Sequence, residues 1–284
     1  MISIFILYSN DRLEELKSTI ECLYDCDGFS SCQKIICSDG KSNYHPDGFE
    51  VIEIQRELGL YCWANMWDAS VKKCQYEKIL CMDSDRILTK NSLKLIDQSI
   101  KDNFFVFPKR LYSLTRRCST GLIKEIRDHF EEHKHNLIPD HRVYSSAWDA
   151  VRKKNPMAGC VGFTKKTFCK SGGLDANYRG GSYADTDYFE KTSRIGMKFL
   201  ALDINELHLY HDYEFGIRIG QQFPRKLKLV NLWNGCYFCR KWDYDFHSEL
   251  HNLAKELGVP INSMGKRPLD LQVCKMLFGN NKIF

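Results

Sequence analysis

The stretch Lys78-Ile-Leu-Cys-Met-Asp-Ser-Asp-Arg-Ile-Leu88 decides how this chain is read. An apolar run, KILCM, stops abruptly at two aspartates, Asp83 and Asp85, with an arginine behind them. The run has the length and composition of a buried strand. In extended backbone, residues i and i+2 point to the same side, so both carboxylates are expected on one face. Two carboxylates that close repel each other unless a cation or strong donors sit between them. A hard divalent cation takes oxygen ligands and can bridge protein carboxylates to a diphosphate. Asp83-Ser84-Asp85 therefore reads either as a metal-diphosphate site or as a solvated turn.

Outward from this stretch the chain alternates strands and helices. ISIFILY (2–8) reads as a first buried strand. In the segment that follows, Leu13, Leu16, Ile20 and Leu23 fall at helical spacing, with Ser9 or Asn10 as the cap. QKIICSDG (33–40) and EVIEIQ (50–55) read as further strands, and LYCWANMWDASVKKC (60–74) as an amphipathic helix with Trp63, Trp67, Val71 and Cys74 on one face. Such alternation argues for a mostly parallel sheet covered on both faces. In that architecture ligands bind outside the carboxyl ends of the strands, where Asp83 and Asp85 stand.

After about residue 100 the pattern changes. FFVFP (104–108), AGCVGFTKKTF (158–168), KFLAL (198–202) and LHLYH (207–211) read as strands. Residues 109–156 are polar and basic without a clean period, and KEIRDHFEEHK supports one helix there. His129, His133, His135 and His141 lie mostly among charged residues, as a solvated surface or as metal or acceptor ligands. The tail from 221 is aromatic and basic and turns helical in FHSELHNLAKEL. No Pro/Gly-rich linker divides the chain.

With 284 residues the chain can bury a substantial core. A net charge of +5 is too weak to argue for a nucleic-acid partner. The apolar N-terminus has no basic segment before it and no small-residue cleavage site, so it does not read as a signal peptide. No apolar stretch approaches the ~20 residues that span a bilayer, so membrane contact would be peripheral. The 13 cysteines, an odd number scattered through apolar contexts, point to reduced thiols in a cytoplasmic compartment. Cys236 and Cys239 have metal-ligand spacing, but no second pair accompanies them, and closed zinc sites use four ligands.

The order of strands, Asp-x-Asp and later motifs resembles the GT-A glycosyltransferases, especially inverting family 2 and the β1,4-galactosyltransferase-like enzymes. ICSDGKS (36–42) resembles the family's strand and turn whose aspartate contacts the nucleobase or ribose, which assigns Asp39. IQRELGLYCWANMWDAS (54–70) looks like its Arg/Glu-Asn-x-Gly stretch, and YEKILCMDSDRIL like its strand ending in Asp-x-Asp. GGLDANYRGGSYADTDYFEKTSRIG (172–196) is similar to its Gly-Gly-Phe-Asp-Glu…Gly-Glu-Asp-x-Asp block, with Ala184 where the family has Glu. The resemblance covers roughly residues 1–212.

The resemblance implies a nucleotide-diphospho-sugar transferase fold, an α/β Rossmann-like mixed sheet flanked by helices. Residues 1–220 would be catalytic, about 1–100 for the nucleotide sugar and 101–220 for the acceptor, and 221–284 a C-terminal helical appendage. It implies a donor set of Tyr8, Ser9, Asp39, Arg56, Asp83, Ser84, Asp85 and Lys241. Mn2+ or Mg2+ would be held by Asp85 and Asp83, completed by a histidine of ELHLYHDYEFG. His208 and His211 would point to opposite strand faces, so one binds, and His211 is favoured. Asp185 would be the general base near a helix N-terminus, with Asp187 as orienter; both could instead be simple caps. Asp175 belongs to the GGLD block around this site, or is a structural turn residue. Gly181 would let a sugar approach the backbone, and Lys241 and Trp242 in CYFCRKWDYDF would reach phosphate and sugar. The implied substrates are a nucleotide sugar, UDP by preference, and a carbohydrate or glycoconjugate hydroxyl.

Two other classes stay open. A nucleotidyltransferase would show a glycine-rich basic loop after the first strand, and YSNDRLEE has no glycine. A non-catalytic sugar- or nucleotide-binding module would tolerate Ala184.

Overall fold

A computed structural model describes residues 1–56, 60–139, 159–180, 183–210 and 224–279. The chain forms two compact units, one of Met1–Ile54, Met66–Gly173 and Phe189–His211, the other of Gln55–Asn65, Leu174–Tyr188 and Asp212–Phe284.

The first unit carries the sheet. Its strands are β1 Ile2–Tyr8, β2 Gln33–Asp39, β3 Glu50–Ile54, β4 Lys78–Asp83, β5 Arg86–Leu88, β6 Phe104–Leu114, β7 Leu137–Pro139, β8 Cys160–Thr164 and β9 Lys198–His208. Among the described residues they form one nine-stranded sheet in the order β3-β2-β1-β4-β8-β6-β9-β5, with β7 paired to β6. The first four are parallel, as the alternation predicts. β8 runs antiparallel to β4, so the sheet is mixed.

Burial explains this order. All seven residues of β1 are buried, as a strand covered on both faces requires. The helix α1, Leu13–Tyr24, lays Leu16, Ile20 and Leu23 on one core with Ile4, Ile6, Leu80 and Met82. On the helix α2, Trp63–Lys73, Trp67 stacks at 5.4 Å on Phe163 and meets Phe5 edge-on at 5.7 Å. Two further helices are α3, Ser92–Ser99, and α4, Thr120–Asp128. A Cβ at Gly162 of β8 would come within 2.9 Å of Ile100, so glycine lets the end of α3 lie close on the sheet.

The structure corrects several expectations. KFLAL and LHLYH are not two short strands: residues 198–208 form the single strand β9, which pairs along β6. The polar region after residue 109 holds the end of β6, α4, a short helix α5 at Phe130–His133, and β7. Ser9 and Asn10 do not cap α1. Ser9 hydrogen-bonds Asp11, Asn10 donates to the Lys41 carbonyl at 2.6 Å, and Arg12 takes the cap position. His141 lies outside the described residues.

Two helices begin in one unit and end in the other by residue number: α2, and α7 at Ala184–Arg194; α6, Lys165–Ser171, precedes α7. The second unit is built on α8, Pro224–Trp242, α9, Ser248–Leu257, and α10, Leu271–Phe278. The aromatic, basic stretch from 224 is thus helical well before FHSELHNLAKEL. Val230, Leu232, Trp233, Cys236, Phe238 and Cys239 of α8 are all buried, and Trp233 Nε1 donates to the Arg267 carbonyl at 2.7 Å. Gly265, at φ +64°, is forced: a Cβ there would stand 2.3 Å from the Tyr237 nitrogen.

Cys236 and Cys239 are interior packing thiols, and burial pushes Cys236 up to about 12. None of the 13 cysteines is in a disulfide. No helix among the described residues is long and apolar enough to cross a membrane.

Candidate functional site

The end of β4 is where the two aspartates of the opening stretch sit. β4 stops at Asp83, and Ser84 and Asp85 form a turn rather than extended backbone. The same-face expectation for i and i+2 therefore fails: Asp83 stays half-buried while Asp85 turns inward and is buried. The turn is held by its backbone. Asp83 N–H donates to the Gly159 carbonyl at 3.0 Å and Ser84 N–H to the Leu7 carbonyl at 3.0 Å. The Ser84 carbonyl accepts from Thr19 Oγ1 at 2.8 Å, and the Asp85 carbonyl from Leu209 N–H at 2.9 Å.

The chain then leaves the parallel sheet, and β5 pairs with β9, setting Arg86 opposite His208. This register carries His208 across 123 residues to Asp85, with Nε2 3.3 Å from Oδ2. His208 Nδ1 lies 3.2 Å from Ser113 Oγ, its neighbour on β6. Arg12 Nη1 also meets Asp85 Oδ2 at 3.1 Å, and Arg86 Nε meets Oδ1 at 3.3 Å. Glu206 stands 4.0 Å from Arg86 Nε.

This donor set can be tested against a divalent cation. Two adjacent ligands at roughly 2.2 Å from one metal lie about 3.1 Å apart. The 3.3 Å between Asp85 Oδ2 and His208 Nε2 matches that edge. The Ser113 hydroxyl on the other imidazole nitrogen can accept its N–H and orient the ring, as outer partners of metal-ligating histidines do. The pair therefore fits as two ligands, with Asp83 the neighbouring carboxylate. Among the described residues no group of three or more His, Cys, Asp and Glu side chains gathers as a complete shell. Among the described residues the histidine beside Asp85 is His208; His211, which the sequence reading favours, lies outside them.

Tyr8 and Asp39 end the neighbouring parallel strands, at the same carboxyl edge as Asp83. Tyr8 ends β1, and its hydroxyl donates to Asn43 Oδ1 at 2.7 Å; burial, then Asp11, pushes it up to about 12. Asp39 ends β2 and is buried, followed by Gly40 at φ +89°, whose N–H donates to the Ile54 carbonyl at 2.8 Å. Arg56 belongs to the other unit and is exposed.

In the second unit the structure gathers a different cluster. Asp185 and Asp187 stand in the first turn of α7, as the sequence predicts. Asp187 is fully buried: Oδ1 accepts from Trp242 Nε1 at 2.8 Å and Tyr178 Oη at 3.1 Å, and Oδ2 from Lys241 Nζ at 2.9 Å. Lys241 also reaches Asp175 Oδ2 at 2.7 Å, and Asp175 Oδ1 accepts the Asn177 N–H at 2.8 Å. Burial pushes the Asp187 carboxyl up, and Lys241 draws it part-way back. Burial works against the Asp175 charge too, yet Lys241 and the Asn177 N–H hold its carboxyl below the usual range. Burial likewise opposes the Lys241 ammonium, but the two carboxylates raise it overall. Lys241 and Trp242 are thus engaged with carboxylates of their own unit. Asp185 is half-buried, and Gly181 lies outside the described residues.

Ser113 and Glu206 carry no sequence signal because they join the site through sheet register, and Arg12 carries none because it reaches Asp85 from a turn 73 residues away. Arg86 does carry one: it directly follows the Asp-x-Asp.

No protein-family model matches this chain, and no curated protein matches it. Solved structures do. The crystal structure of GalNAc-T7 with UDP, GalNAc and Mn2+ aligns with a TM-score of 0.58 at 14% identity, over 91% of this chain and 54% of that one. The crystal structure of S. aureus TarS aligns with a TM-score of 0.51 at 10% identity, over 89% and 50%. The chain thus spans about half the length of the solved structures it matches. Mixed sheet, flanking helices and these alignments together give the chain a GT-A-like α/β fold.

Proposed function

We propose that this chain is a metal-dependent, inverting glycosyltransferase. It takes a sugar from a nucleotide diphosphate, UDP by preference, to a hydroxyl of a carbohydrate or glycoconjugate. The observation that carries this reading is the buried Asp85 at the carboxyl end of β4, with His208 at 3.3 Å and two arginines on its carboxylate. The GalNAc-T7 structure, alike in fold, was solved with UDP, GalNAc and Mn2+. Thirteen cysteines without a disulfide suit a reducing, cytoplasmic compartment.

In this reading Asp85 and His208 hold the cation, with Asp83 beside them. Bound Mn2+ or Mg2+ supplies charge neutralisation of the departing diphosphate. Arg86 pairs with Asp85 and orients its carboxylate. Tyr8, Ser9, Asp39 and Ser84 form the nucleotide side.

Within α7 the base is read as Asp185, the residue the family resemblance implies. Asp187 already accepts from three side chains, which leaves it poorly placed to take a proton from a substrate. Asp185, half-buried in the first turn, keeps a helix N-terminus that favours its ionised form. It removes the acceptor proton as the oxygen attacks the anomeric carbon, the bond to the diphosphate breaks, and the centre inverts.

The test is nucleotide release and sugar transfer by Asp185→Asn. Loss of turnover by ~10²–10⁴-fold with donor binding intact is expected for a general base. Normal transfer by that variant would refute the assignment.

A further inference from the structure

Asp85 has two arginine partners, and they are not equivalent. Arg86 is part of strand β5 and its side chain is 6% exposed. It is walled in: a Cβ at Gly159 would stand 2.9 Å from its Cζ, and Glu206 lies 4.0 Å from its Nε. Arg86 faces Oδ1 and is fixed there.

Arg12 is placed differently, although its side chain is also largely buried, at 12% exposed. It ends a short 3₁₀ turn, Asn10–Arg12, on the connection between β1 and α1, beyond the carboxyl end of β1. The residues before it, Asn10 and Asp11, are exposed. Its guanidinium meets Oδ2, the same oxygen that faces His208. That is the oxygen a cation shared with His208 would need. A guanidinium 3.1 Å from that oxygen and a divalent cation bound to it would place two like charges within about 4 Å, which is repulsive.

The charge balance gives the same answer. Arg12, Arg86, Asp85 and Glu206 are formally neutral together, and Asp83, half-buried at the end of β4, leaves one negative charge beside them. A cation arriving alone finds the Asp85 carboxylate already neutralised. A cation arriving with a diphosphate brings its own negative charge, and a guanidinium fork matches phosphate geometry.

We propose that Arg12 is a displaceable counter-ion. It occupies Asp85 Oδ2 in the resting protein, gives that oxygen up when a divalent cation binds between Asp85 and His208, and passes to the diphosphate that accompanies the cation. Arg12 thereby couples cation and nucleotide binding. The inference rests on the Asp85–His208 cation site proposed above.

The experiment is Mn2+ titration followed by the electron paramagnetic resonance of the free ion, with and without UDP. It uses wild type, Arg12→Gln, Arg12→Lys and Asp85→Asn. Wild type is expected to bind Mn2+ at least ~10-fold more tightly with UDP present, the weight of one charge-assisted pair. Arg12→Gln is expected to bind Mn2+ alone ~10-fold more tightly than wild type and to lose most of the gain from UDP. Arg12→Lys, which keeps the charge, should stay near wild type.

Unchanged or weaker Mn2+ binding by Arg12→Gln would overturn the proposal. So would equal wild-type affinity with and without UDP, a readout that needs no variant to fold. If Asp85→Asn abolishes Mn2+ binding while Arg12→Gln changes nothing, the counter-ion idea alone fails. If Asp85→Asn leaves Mn2+ binding unchanged, the cation site fails and the counter-ion idea with it.

Discussion

Asp85 Oδ2 and His208 Nε2 lie 3.3 Å apart although 123 residues separate them in the chain. Two strand pairings enforce this. β5 sets Arg86 against His208, and β6 sets Ser113 against it on the other side. The histidine is held by the sheet before any ligand arrives, which is what a preorganised site requires.

Gly159 supports that site from behind. Its φ of +101° disfavours any other residue, and a Cβ would press on the Arg86 guanidinium at 2.9–3.1 Å. Gly159→Ala is expected to cost roughly 1–3 kcal/mol of backbone strain. It should also weaken UDP–Mn2+ binding by moving Arg86 off Asp85. Calorimetric titration and urea unfolding of the variant measure the two effects separately.

Asp187 behaves as a structural hub. Asp187→Ala would take one of its two carboxylate partners from the Lys241 ammonium and remove the carboxylate that accepts from Trp242 and Tyr178. Breaking a buried pair in this way costs about 3 kcal/mol, read by urea unfolding. Asp187→Asn should lose less. Full stability combined with abolished turnover would instead mark Asp187 as the base.

His247 gives a pH signature. Its imidazole is half-buried in the second unit, with Nε2 3.2 Å from the Tyr183 hydroxyl. Burial, then the nearby His251, lowers it from 6.5 to about 4. Between those values the unfolded chain binds the extra proton, so this group's contribution is present above pH 6.5 and lost as pH falls towards 4. The loss is on the order of 3 kcal/mol. His247→Gln should flatten the rise of the thermal midpoint between pH 4 and 6.5 relative to wild type.

The parallel half of the sheet was legible because it is local physics. ISIFILY, QKIICSD, EVIEI and KILCM are apolar runs of strand length bounded by turns, and each became a strand. Asp83 at a strand end and Asp185 at a helix start were legible for the same reason. What could not be read is register. Nothing in LHLYH says that His208 will face Asp85, because that depends on β9 running on from residue 198 and pairing with two strands. The same holds for Lys241 and Trp242, which look like free binding residues in CYFCRKWDYDF. They meet Asp187 only through a helix placed 54 and 55 residues later. A turn at Ser84-Asp85 was one of the two readings of D-S-D, but its burial was not legible, because that depends on the strands and the arginines that close over it.

The most direct test of the account is calorimetric titration of UDP with Mn2+ into wild type, Asp85→Asn and His208→Ala. Wild type should bind UDP in a Mn2+-dependent manner. His208→Ala should weaken binding by about 10–100-fold, and Asp85→Asn by at least as much, with the fold intact by circular dichroism. Binding to folded Asp85→Asn that is as tight and as Mn2+-dependent as in wild type would contradict the account.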